Sequence, residues 1–363
     1  MNSIKKIILS VLFLSTVFIS CSDDDTPKPP VKEYDKVAYI VNYGGYGKGD
    51  GEISTYDTEK KTVAQNSYKT ANGVDFTSNI QSMAVYNDVA YLMSNAGDKI
   101  DILDAKTLKA LGNPVSDDII KPRYFTADGN TAYISCWGEV NDWSVMANSY
   151  IAKMDLSSKT ISKVLVPGGA EGVIVSNNKL FIGSTVSKKI TVIDLSDNSM
   201  SFIAVSGVPQ QFVEDVDGNI WVSTVSKFST PVPSNLVGLE VINPKTNKVT
   251  ATVNFPGIGS NGFISISSDK KNIYAIGGES WGGTTSIFTI DVASKTIGSD
   301  ALITGENFNG LGVNPENNDI YVLVSPDTSN PGKLKIYSSN GVLLSETETG
   351  LAPQQVVFYA IEK

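Results

Sequence analysis

No histidine occurs anywhere in the 363 residues, and arginine occurs once, at Arg123. The first absence removes Ser-His-Asp and Cys-His catalysis, His-ligated zinc and His-ligated haem. Cysteine is scarce too: Cys21 and Cys136 are the only two. No disulfide framework can therefore staple this chain. Positive charge is the minor sign, with 29 Lys and Arg against 38 Asp and Glu, a net −9. That balance argues against nucleic acid and against an anionic membrane face as partners. Helical periodicity is missing as well. Ile7 to Ile19 is a sustained apolar run, but it is too short for a stable membrane span.

That run is preceded by Lys5 and Lys6 and ends at Phe18-Ile19-Ser20-Cys21. The order is that of an export leader. Its end resembles a bacterial lipobox, where a peptidase cuts before a cysteine that is then lipid-modified. The expectation is a signal peptide over residues 1–20 and lipidation at Cys21; the alternative is an ordinary leader with an incidental cysteine. Residues 21–34, acidic and then Pro-rich, read as a tether that cannot pack. Ser22-Asp23-Asp24-Asp25 resembles the signal that sends lipoproteins of some Gram-negative bacteria to the outer cell surface. It implies an outer-membrane protein facing the exterior, held through its lipid anchor only. Its plainer reading is a solvated spacer.

From residue 35 to 363 one pattern recurs. Leu180 to Gly207 is its plainest copy: LFIG, ITVIDL and MSFIAV, separated by polar turns. Short apolar or alternating runs bounded by turn formers are strands. Aromatic anchors stand in the second strand of each copy: Tyr39, Tyr91, Tyr133, Phe181, Trp221, Tyr274 and Tyr321. Polar residues close the third: Asp57, Asp104, Asp155, Asp194, Asn243, Asp291 and Ser338. Successive closing residues lie 47, 51, 39, 49, 48 and 47 apart, the spacing of propeller blades. The first copy lacks a first strand, and Gln355 to Ala360 is an orphan strand at the far end. Pairing the two closes the ring without an open edge. The predicted fold is all-β: a single seven-bladed β-propeller domain over 35–363, closed by a C-terminal strand joining the N-terminal blade.

The closing aspartates read as turn formers rather than metal ligands. Asp215 to Asn219 lacks the spacing of an EF-hand loop, and Gly47 to Gly51 has no helix after it to make a phosphate loop. Cys136 has neither a His nor a CxxC partner and reads as a buried structural thiol.

The repeat is uneven in one place. From aromatic anchor to closing residue the distance is 13 in blades two and four, but 18, 22, 22, 17 and 17 in blades one, three, five, six and seven. The surplus falls in the loop from second to third strand, on the face where the inner strands begin. Insertions on one face of a repeat array mark a binding face. These loops hold Tyr43, Tyr46, Trp137, Trp143, Phe228 and Trp281, as ligand contacts or as staples holding long loops down. The inner strands begin with one polar residue each: Gln81, Arg123, Glu171, Gln210, Asn261, Asn309 and Gln354. Arg123 and Glu171, from adjacent blades, are an expected ion pair. A water-filled channel needs polar linings anyway, but amides beneath an aromatic rim also describe a ligand site. No catalytic residue, metal ligand or cofactor is assigned.

Asn219-Ile220-Trp221-Val222-Ser223 and Ile190-Thr191-Val192-Ile193-Asp194 resemble the YVTN-type seven-bladed propellers. Val41-Asn42-Tyr43-Gly44-Gly45-Tyr46-Gly47, with Gln81-Ser82-Met83 and Pro122-Arg123-Tyr124, resembles the surface propeller lipoproteins that capture vitamin B12. Asn42-Tyr43-Gly44 departs from the Asn-Glu-Gly of close relatives. The resemblance implies a non-enzymatic protein that takes a corrinoid on its loop face and passes it to a TonB-dependent outer-membrane transporter. A bulky, near-neutral, amide-edged ligand suits Gln and Asn beneath Trp and Tyr. Two other readings stay open: a protein-interaction scaffold, and a metal-dependent lactonase or lyase.

Overall fold

Each closing aspartate caps its own turn. Asp57 Oδ1 accepts from the backbone N–H of Glu59 and Lys60, and Asp155 Oδ1 from Ser157 and Ser158. Asp194, Asn243 and Asp291 repeat the bond. A short carboxylate or amide that holds the next N–H groups ends a strand and starts a turn. Those turns fold the chain into antiparallel sheets. The computed structural model describes residues 34–278 and 283–362; the leader, Cys21 and most of the tether lie outside them, as does Trp281.

The sheets form the seven-bladed propeller that the spacing predicts. Blade one takes its innermost strand from the far end of the chain: Pro353–Glu362 pairs with Tyr34–Asn42, followed by Glu52–Asp57 and Thr62–Ala64. The register runs from Asn42 opposite Pro353 to Tyr34 opposite Glu362. Blade three is Pro122–Asp128, Thr131–Cys136, Tyr150–Asp155 and Ile161–Leu165. Blade four is Ala170–Ser176, Lys179–Ser184, Lys189–Asp194 and Met200–Ala204. Blade five is Val208–Glu214, Ile220–Val225, Gly238–Asn243 and Lys248–Asn254. Blade seven is Phe308–Val313, Ile320–Val324, Pro331–Tyr337 and Leu343–Leu351.

Two blades depart from four regular strands. Blade two has three, Ser82–Tyr86, Val89–Ser94 and Lys99–Asp104. Its outer edge is completed by single bridges, Ile100 to Val115 and Leu103 to Ala110. Leu108 and Gly112 at positive φ, with Pro114, prevent a continuous strand there. Blade six, Ser260–Ile266, Asn272–Gly277 and Thr284–Asp291, has an outer edge split into Thr296–Ile297 and Ile303–Glu306. One short helix, Ser67–Asn72, links blades one and two, an element that the strand repeat does not predict. It ends on Gly73 at φ 74 and lays Tyr68 edge-on to Phe76 at 5.0 Å.

The core lies between blades, where neighbouring sheets meet face to face. All seven aromatic anchors are buried in it. Trp221 is wholly buried with Phe255 and Phe288 in its cluster, and its indole N–H donates to Asp215 at 2.8 Å. This accounts for Asp215: its carboxylate also accepts from the backbone of Asp217 and Asn219, so it caps a turn and an indole. Truncating a buried aromatic of this kind costs about 3–5 kcal/mol.

Candidate functional site

A bulge sits at the start of nearly every inner strand. Between Pro122 and Phe125, Ala170 and Val173, and Pro209 and Phe212, two residues stand opposite one on the partner strand. Blades one, six and seven shift register at the same level, at Gln354, over Asn261–Phe263 and at Asn309. A bulge turns a side chain off the sheet's alternation and re-aims it. Here it points the polar residue of each strand into the channel mouth. Blade two has no such shift, and Gln81 reaches the mouth from just before its strand.

The result is one open cavity of about 680 Å3 on the loop face. Its wall includes Tyr43, Tyr46, Gln81, Arg123, Trp137, Trp143, Glu171, Gln210, Asn261, Asn309 and Gln354. Phe228 is not brought there. Lys227 and Thr230 exchange backbone hydrogen bonds across a tight turn, which throws Phe228 at its tip fully into solvent and leaves Lys227 in the wall.

The polar residues form a hoop of bonds between blades. Gln354 Nε2 donates to the carbonyls of Ile80 and Gln81 at 3.0 and 2.7 Å, Asn261 Nδ2 to Phe308 at 2.9 Å, and Asn309 Nδ2 to Pro353 at 3.2 Å. Gln210 Nε2 donates to Ser184 at 2.9 Å. Each of these amides thus gives at least one N–H to backbone. Among the described residues, no donor reaches the side-chain oxygens of Gln210, Asn309 and Gln354. The amide orientations follow from this network.

Arg123 is held from three sides. It pairs with Glu171 through Nε and Nη2 at 3.2 Å each, donates from Nη1 to Gln81, and stacks its guanidinium 3.9 Å from the Trp137 ring centre. The pair is largely buried, with side-chain exposures of 13% and 5%. Thr185 donates to Glu171 at 2.9 Å as well. Breaking such a pair from one side costs about 3–5 kcal/mol. Trp137 therefore acts as a staple: one face supports Arg123, and Trp143 meets it edge-on at 5.8 Å. Among the described residues, Trp143 and Tyr46, 60% and 80% exposed, are the exposed aromatics of the cavity wall. Burial lowers the pKa of the Lys227 ammonium, Glu171 opposes that shift and Arg123 adds to it. Burial raises the Tyr124 phenol and keeps it neutral.

The loops are pinned from below. Asn79, wholly buried, donates to the carbonyls of Tyr43 and Gly45 at 2.9 Å each. Gly44 sits at φ 92 where a Cβ would meet Asp50, so only glycine makes this turn. Asn79, Asn95, Lys121, Tyr124, Gln211, Phe263, Thr328 and Gln355 also line the cavity. Tyr124, Gln211 and Gln355 each follow a polar residue already singled out, and the bulge brings both of the two into the mouth. Asn95 and Lys121 come from blade two and its exit, where the short loop length gives no signal. Among the described residues no three His, Cys, Asp or Glu side chains group to hold a metal, and Glu171 is the one carboxylate in the wall.

The ring is shared with many solved propellers. A Bacteroides fragilis protein to which 6-phosphogluconolactonase activity is attributed is similar at TM-score 0.66 and 12% identity, over 90% of this chain and 98% of that one. The periplasmic gluconolactonase of Pseudomonas aeruginosa is similar at 0.63 and 14%, over 89% and 99%. The hydrazine synthase of Kuenenia stuttgartiensis is similar at 0.60 and 15%, over 78% and 95%. At these identities the likeness is one of fold, and a fold hosts unrelated chemistries. No curated protein matches the chain at a significant level. Matched over residues 36–349, the chain belongs to the family described as a domain of unknown function, DUF5074.

Proposed function

We propose that this protein is a non-enzymatic, lipid-anchored capture protein of the outer cell surface, binding a corrinoid-class ligand over the propeller mouth for a TonB-dependent outer-membrane transporter. The observation that carries the reading is the pairing of an open cavity of about 680 Å3 with free aromatics, Tyr46 and Trp143, above a floor of amides. A wide, amide-edged ligand lies on such a floor with its apolar faces against the rim. Two titratable groups of the wall are engaged in the fold: Glu171 is bonded to Arg123 and Thr185, and Tyr124 is held neutral. Isothermal calorimetry with cyanocobalamin should give saturable heat, and Trp143→Ala should weaken binding about tenfold, the loss of one aromatic contact face. No heat and no change in the corrin absorbance at micromolar ligand overturns the corrinoid.

A second reading follows from the gluconolactonase names among the similar folds. Hydrolysis of 6-phosphogluconolactone above the buffer rate, abolished in Glu171→Gln, would replace capture with catalysis.

A further inference from the structure

The charge of the cavity runs against that of the chain. In a protein of net −9, the wall carries Lys121, Arg123 and Lys227 against Glu171 alone. The Arg123–Glu171 pair cancels internally, and its acceptors are already shared with Thr185. Lys121 and Lys227 are left over. Among the described residues the Lys227 ammonium has no hydrogen-bond or ion-pair partner, although it is drawn out of water beside Arg123. The carboxylate near it, Glu171, is already bonded to Arg123 and Thr185, and a cation drawn out of water with no acceptor of its own marks, in a cleft, a place for an anion. The opposite side of the mouth differs in kind. Gln354, on blade one, donates from its amide to two backbone carbonyls and Asn309, on blade seven, to one, which aims the side-chain oxygen of each at a ligand's donors.

We infer that the cavity takes a ligand carrying an anionic group, a carboxylate or phosphate ester, against Lys227, and hydroxyl or amide N–H donors against Gln354 and Asn309. This deepens the proposed capture role by naming the ligand's chemistry, and it rests on that role only in placing the ligand in this cavity. Corrinoids with a phosphodiester and amide side chains fit the class, and so do sugar acids.

The test uses simple probes. Reductive methylation with labelled formaldehyde places a carbon-13 reporter on each lysine, and Lys227→Gln identifies the Lys227 signal. Inorganic phosphate, acetate and gluconate are then titrated into the otherwise intact protein. The Lys227 signal should shift saturably, while that of exposed Lys248 on the outer edge of blade five should not. Whichever of phosphate and acetate binds more tightly identifies the anion. Gluconate should bind about tenfold more tightly than acetate, the worth of one or two hydrogen bonds from its hydroxyls. A Lys227 signal that moves no more than that of Lys248 overturns the anion site, and equal affinity for gluconate and acetate overturns the donor side. Neither result depends on cobalamin. A failed cobalamin titration with a shifting Lys227 sinks the corrinoid and keeps this site.

Discussion

Cys136 lies wholly buried in a cluster with Ala132, Ile134 and Tyr150, and burial pushes its thiol up to about 12. At pH 8 the thiolate, the only nucleophilic form, is then a fraction on the order of 10^-4. Native protein incubated with iodoacetamide at pH 8 should therefore show Cys136 unmodified by peptide mass mapping, and denatured protein should show it fully alkylated. Rapid native labelling would mean that the blade opens locally. Arg123 makes the opposite point about a rare residue. Two bonds to one carboxylate, a third to Gln81 and a close approach to the Trp137 ring call for a planar fork, which lysine lacks. The chain's single arginine stands where no lysine could replace it.

At the level of elements, the inner strands do the work of the site. Their outer parts hold the ring, and their bulged first residues supply the hoop of amides. The strand Pro353–Glu362 does both, since it closes blade one and lays Gln354 across to blade two. A chain ending at Ala352 should lose its cooperative thermal transition, because the edge of Tyr34–Asn42 then faces solvent and the ring opens. Circular dichroism during heating would reveal it; an unchanged sharp transition would show that six blades and a partial seventh suffice. This closure was legible in the sequence because it rests on two local facts, a first copy one strand short and an orphan at the end. Turns and anchors were legible for the same reason: Asp57 or Trp221 needs only its own blade. The bulges were not, because each depends on how a strand slips against its partner. Asn79 and Lys121 were missed because their roles lie in another blade's loop and in the shared mouth. Phe228 and Lys227 show the limit within one loop: composition named the residues, and a single tight turn decided which of the two faces the cavity.

The whole molecule carries a common response to alkali. Burial raises Tyr39, Tyr150 and Tyr321 above the usual phenol range, and burial followed by Asp88 takes Tyr359 to about 12. Cys136 joins them at about 12. All are raised in the fold, so the folded chain holds protons that the unfolded chain releases. Stability is thus complete below the unfolded values, near pH 8.5 for the thiol and about 10 for the phenols, and is lost as pH climbs toward 12. The melting temperature should be flat from about pH 7 to 8 and fall steadily from about pH 9 upward; a melting curve independent of pH to 11 would refute the linkage. Tyr359 donates to Asp88 and stacks at 6.3 Å on Tyr39, so the closing strand should feel this first.

The register of that closing pair also gives the disc a front and a back. Asn42 and Pro353 meet at the cavity end, and Tyr34 and Glu362 meet at the other. Whatever precedes Tyr34 is thus joined to the back. Held from there, the disc offers its open mouth away from the surface that holds it. Under the proposed anchoring ahead of Tyr34, passing a ligand toward that surface would need the disc to turn over, within a reach of at most about 3.5 Å per preceding residue. The number of residues ahead of Tyr34 would then bear on delivery as much as any residue in the cavity.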